Sequence, residues 1–278
     1  MLKISDNIFR KQQAININGK LFDLSRPKIM GIINCTPDSF YSKSRFNNNK
    51  SILKHVSEMI DHGADIIDVG GASTRPGAKL PEVGEEMSRV IPVVEQIREK
   101  FPDCIISIDT CRSKVARKAA ELGVGIINDV SAFSLDPEII NVASEFQIPY
   151  VLTYFDKNKK DERKNITMEM IYFFSKKIRK LKENGIHDII IDPGFGFNKT
   201  IEENYNISKH FEALYCIEKP ILVGVSRKSM IYKKLGVTPE ESLNGTTILN
   251  TFLGLNGASI FRVHDVKETK EILELLKE

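Results

Sequence analysis

Short apolar runs punctuate the chain at residues 29–33, 66–69, 105–108, 124–127, 150–152, 189–191, 221–225 and 259–263. Between them apolar residues recur at intervals of three and four, as in Ile52-Val56-Met59-Ile60, Val90-Val94-Ile97, Val115-Ala119-Leu122, Ile171-Phe174-Ile178-Leu181 and Ile248-Phe252-Leu255. Such spacing predicts helices that lay one face on a core. Strands joined by connections long enough to hold a helix must pair in parallel, and near-continuous Ile/Val runs suit strands buried on both faces. Upstream, Ile15-Asn16-Ile17-Asn18-Gly19-Lys20-Leu21-Phe22 alternates around Asn-Gly. Both of those turn positions accept positive φ, so the segment predicts a β-hairpin, one that closes an end of the core.

A doubly wound open sheet and a closed barrel both accommodate this alternation. The number of runs and the length of the chain beyond the hairpin favour the barrel, a fold of about 250 residues. More telling is where polar residues interrupt the pattern. Asn34, Asp68, Asp109, Asn128, Asp192, Lys228 and His264 all stand at, or a few residues past, the ends of apolar runs. An open sheet gathers ligand groups at one switch point, whereas a barrel delivers them from every strand to its C-terminal mouth. The expectation is an α/β (β/α)8 TIM barrel, one domain over residues 1–278, with residues 1–27 as an N-terminal hairpin extension.

Composition narrows the partners. The 40 basic residues nearly balance the 37 acidic ones, which leaves no electrostatic footprint for nucleic acid. The basic stretches at 157–164 and 176–182 are broken by acidic or apolar residues and read as solvated faces. Cys35, Cys104, Cys111 and Cys216 form no Cys-x-x-Cys pair, so neither a zinc site nor a disulfide framework is expected. No apolar stretch is long enough for a membrane span and the N-terminus has no signal-peptide pattern. A cytoplasmic protein, independent of membranes, is expected.

Candidate chemistry lies in the loops after the runs. Asn34-Cys35-Thr36-Pro37-Asp38-Ser39-Phe40 places a side-chain carbonyl at a strand end, where it can meet a metal or a phosphate-bound metal, and then leads into a polar loop. Gly70-Gly71-Ala72-Ser73-Thr74-Arg75-Pro76-Gly77-Ala78 combines backbone that can approach a ligand with a hydroxyl and a guanidinium, a set suited to an anion. Asp109, Asn128 and Asp192 would form a polar floor. Two carboxylates and an amide match a flat heterocycle bearing an exocyclic amine, because a carboxylate accepts paired N–H groups and an amide both donates and accepts. Lys228 follows another strand, and Arg262 and His264 alternate along the last, so both can face one side. A basic pair at the final loop of a barrel is a phosphate position. The chain has no Gly-x-x-x-x-Gly-Lys phosphate loop, no third glycine after Gly194 and Gly196 to complete a dinucleotide fingerprint, and no Gly-x-Ser-x-Gly elbow. Phe197 instead reads as lining for an aromatic co-substrate.

These residues resemble a known family. Gly31-Ile32-Ile33-Asn34-Cys35-Thr36-Pro37-Asp38-Ser39-Phe40, Asp68-Val69-Gly70-Gly71-Ala72-Ser73-Thr74-Arg75-Pro76-Gly77, Ser107-Ile108-Asp109-Thr110, Ile127-Asn128-Asp129, Asp192-Pro193-Gly194-Phe195-Gly196-Phe197, Gly224-Val225-Ser226-Arg227-Lys228-Ser229-Met230 and Arg262-Val263-His264-Asp265 look like the motifs of dihydropteroate synthases. The resemblance implies a homodimeric barrel. It also implies an enzyme that joins 6-hydroxymethyl-7,8-dihydropterin pyrophosphate to p-aminobenzoate with help from Mg2+, and a sulfonamide target. It would place the pterin on Asp109, Asn128, Asp192 and Lys228. Pyrophosphate would fall to Asn34, Thr74, Arg75, Arg262 and His264, with Asn34 as the metal ligand. Phe40, Pro76, Phe197 and Ser229 would frame the aminobenzoate, and Arg262, His264, Lys228 and Asp109 would carry catalysis.

One segment departs from that family. After Pro149-Tyr150-Val151-Leu152 the family usually has Met-His, where this chain has Thr153-Tyr154. A threonine leaves a smaller, more polar wall than a packed thioether. That difference keeps two alternatives open: a non-catalytic pterin-binding barrel and a related methyltetrahydrofolate-dependent methyltransferase. On the synthase reading, Arg262→Ala is expected to abolish most turnover and to spare the fold.

Overall fold

The computed structural model describes residues 12–36, 45–72, 80–155 and 165–277. The hairpin forms from β1 (Ala14–Ile17) and β2 (Lys20–Asp23), with Asn18 at φ +50 and Gly19 at φ +80 in the turn. Positive φ at both central residues is the primed turn that matches strand twist.

The apolar runs become β3 (Lys28–Asn34), β4 (Ile66–Gly70), β5 (Ile105–Asp109), β6 (Ile126–Asp129), β7 (Tyr150–Thr153), β8 (Ile189–Asp192), β9 (Leu222–Val223) and β10 (Ile260–Val263). All pair in parallel, in the order β8-β7-β6-β5-β4-β3-β10-β9. A parallel bridge between Ile191 and Ile221, with Ile191 N–H donating to Pro220 O at 2.9 Å, joins the two outer strands. The sheet therefore closes into an eight-stranded barrel. Strand β9 is shorter than its apolar run: Ile221 makes only an isolated bridge, and its N–H donates to the Ser259 hydroxyl at 3.1 Å.

Successive strand residues face opposite sides, and this parity divides the core in two. Outward residues such as Ile33, Ile67, Ile106, Ile127, Leu152, Ile191 and Val263 pack under the helices. Inward residues Met30, Ile66, Ile126, Val151, Ile190, Leu222 and Ile260 pack with Ile15, Ile17 and Leu24. The hairpin is thus a plug in the N-terminal end of the barrel, as its pattern predicts. Gly125 makes room for it, since a Cβ there would stand 2.5 Å from Ile17 Cγ2.

The outer ring consists of α1 (Arg45–Asp61), α2 (Val83–Lys100), α3 (Ser113–Glu121), α4 (Ile139–Glu145), α5 (Ile166–Glu183), α6 (Ile201–Lys209), α7 (Ser229–Leu235), α8 (Leu243–Leu255) and α9 (Val266–Leu275). Asn165 caps α5 through Met168 N–H, and Thr200 with Glu203 forms a capping box on α6, each satisfying amide donors that a helix start leaves open.

Helix α8 corrects the sequence reading. Its stripe Ile248, Phe252 and Leu255 does not face the core: these residues are 60%, 41% and 50% exposed. The buried face is Gly245, Thr246, Asn250 and Leu253. Close approach to α7 selects that face, because a Cβ on Gly245 would lie 2.4 Å from Ile231 Cγ2, and the Thr246 hydroxyl accepts from Arg227 N–H at 3.1 Å.

Candidate active site

Continuing the inward parity toward the C-terminal mouth gives Ile32 and Asn34 on β3, Asp68 on β4, Ser107 and Asp109 on β5, Asn128 on β6, Thr153 on β7, Asp192 on β8 and Arg262 on β10. The apolar layer next to the plug gives way to polar groups at the mouth.

Arg262 is the hub. Its Nε donates to Asp68 Oδ2 and its Nη2 to Asp109 Oδ2, both at 2.6 Å. Asn128 Nδ2 donates to the same Asp68 oxygen at 3.1 Å. The three ionic side chains are nearly enclosed, at 14%, 0% and 7% exposed for Arg262, Asp68 and Asp109. Asp192 Oδ1 accepts from Gly194 N–H at 2.7 Å. Lys228, the residue preceding α7, donates from Nζ to Phe195 O at 2.5 Å and stands 4.4 Å from the centre of the Phe197 ring.

Not every buried polar atom is satisfied within the protein. Asp68 Oδ1, Ser107 Oγ, Asn128 Oδ1 and Thr153 Oγ1 are enclosed without a hydrogen-bond partner. Interiors seldom leave such atoms unpaired. Four of them on inward strand positions make a polar surface suited to a polar ligand.

Electrostatics follow from enclosure. Burial raises Asp109 to about 7 against the attraction of Arg262, with Asp68 and Glu86 adding to the rise. Burial also raises Asp192, opposed by Lys228 and the Gly194 N–H. Lys228 is lowered to about 8, first by burial and then by Arg262, while Asp192 pulls the other way. His264 is lowered to about 4, first by desolvation and second by the Arg262 charge, but the residue is exposed and water offsets part of that shift. Near neutral pH it is an uncharged imidazole. The basic pair read from the sequence therefore carries one charge, that of Arg262.

The roots of the neighbouring loops are tied to α2. Arg89 Nη1 donates to Gly71 O at 2.8 Å. The Thr110 hydroxyl donates to the buried Glu86 at 2.5 Å, and Arg112 lies 3.3 Å from that carboxylate.

The pterin-binding enzyme family model matches residues 30–264, most of the chain and all of this mouth. The dihydropteroate synthase of Escherichia coli strain K12 is 40% identical over 266 residues, covering 93% of this chain and 94% of that protein. The chain belongs to the dihydropteroate synthase family.

Solved dihydropteroate synthases agree with the fold. The Xanthomonas albilineans enzyme, whose structure contains 4-aminobenzoic acid, superposes with a TM-score of 0.90 at 32% identity and covers 96% of this chain and 98% of that one. The Yersinia pestis enzyme in complex with a sulfonamide drug gives 0.88 at 36% identity, with coverages of 95% and 98%. The barrel expected from the sequence is thus the barrel of dihydropteroate synthases.

Of the residues singled out in the sequence, Asp109, Asn128, Asp192, Lys228 and Arg262 converge at the mouth, with His264 at its rim and Asn34 at the end of β3. Ser229 opens α7 directly after Lys228, and Phe197 stands beside the Lys228 ammonium. Phe40, Thr74, Arg75 and Pro76 lie outside the described residues. Asp68, a strand-end polar residue in the sequence, takes on a role only through its bond to Arg262. Its signal was an acid inside the run Ile66-Ile67-Asp68-Val69, a position that only an internal partner makes tolerable.

Proposed function

We propose that this protein condenses 6-hydroxymethyl-7,8-dihydropterin pyrophosphate with p-aminobenzoate to give 7,8-dihydropteroate and pyrophosphate. The observation that carries this reading is the buried set of Asp109, Asn128 and Asp192, with half-buried Lys228, beside the Arg262 hub, within a chain that the family model spans. The carboxylates and amide accept and donate along the edge of the pterin, and Lys228 supplies a cationic donor at its face. Arg262, the imidazole N–H of His264, Thr74 and Arg75 hold the pyrophosphate. Phe197, Ser229, Phe40 and Pro76 frame the aminobenzoate.

In the reaction the bond between the pterin methylene carbon and the pyrophosphate oxygen breaks, its electron pair leaving with pyrophosphate. The amine nitrogen of p-aminobenzoate then bonds to that carbon and releases a proton to solvent. The carboxylates of Asp68 and Asp192, joined by that of Asp109 once it is ionised above about pH 7, lie beneath the ring and stabilise positive charge that develops there as pyrophosphate departs. Arg262 faces the negative charge that accumulates on the leaving group. No strong general base is needed, since the amine attacks an electron-poor carbon.

Mg2+ is the proposed cofactor. Among the described residues no cluster of three His, Cys, Asp or Glu suits a metal, while Asn34 offers one neutral oxygen at a strand end. That donor set fits an ion held mostly by substrate phosphates and water, as Mg2+ is, with one or two protein oxygens. When bound, the ion would neutralise pyrophosphate charge, with Asn34 holding it.

We further propose a homodimer assembled through α8, supported by the outward apolar stripe of Ile248, Phe252 and Leu255. Three large apolar side chains on one exposed helix face favour burial against a second copy. Phe252→Glu is expected to halve the mass measured by light scattering and to leave the fold intact; an unchanged mass would place the interface elsewhere. The four cysteines are free, which supports a reducing, cytoplasmic setting.

Calorimetry tests the site reading. With the pterin pyrophosphate, or with pterin and inorganic pyrophosphate and Mg2+, p-aminobenzoate should bind measurably, and without them weakly or not at all. Aminobenzoate binding that ignores pyrophosphate would count against the assigned leaving-group site.

A further inference from the structure

The segment between β8 and α6 threads between two lysines. Lys199 Nζ donates to Gly194 O at 2.7 Å and to Phe197 O at 3.2 Å, and lies 4.8 Å from the centre of the Tyr154 ring. On the other side Lys228 Nζ donates to Phe195 O and stands beside the Phe197 ring. Neighbouring carbonyls thus point to different ammonium groups.

Backbone conformation makes that alternation available. Gly194, Gly196 and Asn198 have φ of +65, +81 and +45, and a left-handed residue reverses the direction of the next peptide. Gly194 is also sterically required, because a Cβ there would lie 2.6 Å from Tyr154 O and 3.0 Å from Thr153 Cγ2. Such a path persists only when its surroundings determine it. Lys199 holds it at two carbonyls, and Asn204, 2% exposed on α6, holds it at the Gly196 N–H through Oδ1 at 2.7 Å. The Asn204 amide is itself oriented by donating to Thr200 O at 2.6 Å.

We propose that Lys199 is a positioning residue for the condensation. It fixes the 194–197 strap so that the Phe195 carbonyl aims the Lys228 ammonium at the pterin and the Phe197 ring stands as a wall for the aminobenzoate. The inference rests on the pterin-site reading of the barrel mouth. Lys199 acts through Lys228 and Phe197. Its own ammonium is occupied by strap carbonyls and the Tyr154 ring. That ring sits edge-on to Phe173, 5.1 Å between centres, which gives the anchor a packed base.

Removing the ammonium frees two carbonyls and lets the strap shift, and displacements of about 1 Å at reacting groups lower rates up to roughly a hundredfold. Lys199→Met should therefore weaken binding of the pterin pyrophosphate by roughly tenfold or more and lower kcat/KM for p-aminobenzoate by a similar factor. Lys199→Arg, whose guanidinium can donate to both carbonyls and stack on Tyr154, should recover most of the loss. Lys199→Gln, keeping one donor, is the second variant should the methionine form not fold, and should show the same losses in smaller measure. Calorimetry, steady-state kinetics for each substrate and thermal melting decide the matter. A lowered melting temperature with wild-type pterin affinity and wild-type KM for both substrates would make Lys199 merely structural and overturn the proposal. A wild-type protein that binds no pterin would overturn the site reading and this inference with it, whereas normal wild-type binding with unaffected Lys199 variants would overturn this inference alone.

Discussion

Arg262→Ala will lower turnover per folded molecule by about a hundredfold to a thousandfold, the usual effect of removing one preorganised group that stabilises transition-state charge. It will also destabilise the fold, which corrects the expectation drawn from sequence. Arg262 neutralises Asp68 and Asp109, both nearly fully enclosed. Taking away one partner of such a set leaves buried charge uncompensated, at a cost of about 3–5 kcal/mol. Part of that loss will be relieved as Asp109, already raised to about 7, takes up a proton. Denaturant titration gives the stability change and kinetics on the folded fraction gives the rate. Near-normal turnover would remove Arg262 from the leaving-group site, and near-normal stability would mean that the Asp68–Arg262–Asp109 arrangement carries little weight.

Pterin affinity should be greatest between about pH 7 and pH 8 and fall on both sides. Asp109, raised to about 7, must be ionised to accept N–H groups, so affinity should drop about tenfold per pH unit below that value. Lys228, lowered to about 8, loses its charge above that value and with it a cationic donor. Asp109→Asn should bind more weakly at pH 8 and lose the acid-side dependence. Calorimetry from pH 5 to pH 10 on both forms provides the test; a flat wild-type profile would detach these groups from the ligand. The linkage to folding has the opposite sign from that of an ordinary salt-bridged carboxylate. Asp109 is raised above its usual 3.8, so the native protein holds that proton more tightly than the unfolded chain. Its contribution to stability therefore falls as pH rises from about 4 to about 7.

The barrel was legible because its strands are buried on both faces. Uninterrupted Ile/Val runs mark them, and a polar residue at the end of such a run stands out. Parity then sends Asp109, Asn128, Asp192 and Arg262 inward together, a consequence of the two-residue strand repeat. The hairpin was equally plain, since Asn18-Gly19 admits few other turns.

Other features depend on three-dimensional neighbours. The stripe on α8 has the periodicity of a core face, yet Gly245 against Ile231 and Thr246 under Arg227 draw the opposite face inward. Asp68 and Arg262 are 194 residues apart in sequence, so nothing local reveals that one neutralises the other. His264 reads as a cation until desolvation and the adjacent Arg262 charge are placed around it. Thr153 was visible as a departure, but only the closed barrel shows its hydroxyl to be enclosed and unpartnered. Lys199 carries no signal in the sequence, because its partners are backbone carbonyls that sequence does not display.

The most direct test of the central claim is a turnover measurement. Purified protein should be incubated with 6-hydroxymethyl-7,8-dihydropterin pyrophosphate, p-aminobenzoate and Mg2+, and both products quantified. The account predicts 7,8-dihydropteroate and pyrophosphate in equal amounts over many turnovers. Well-folded protein that binds the pterin but forms no dihydropteroate would contradict it.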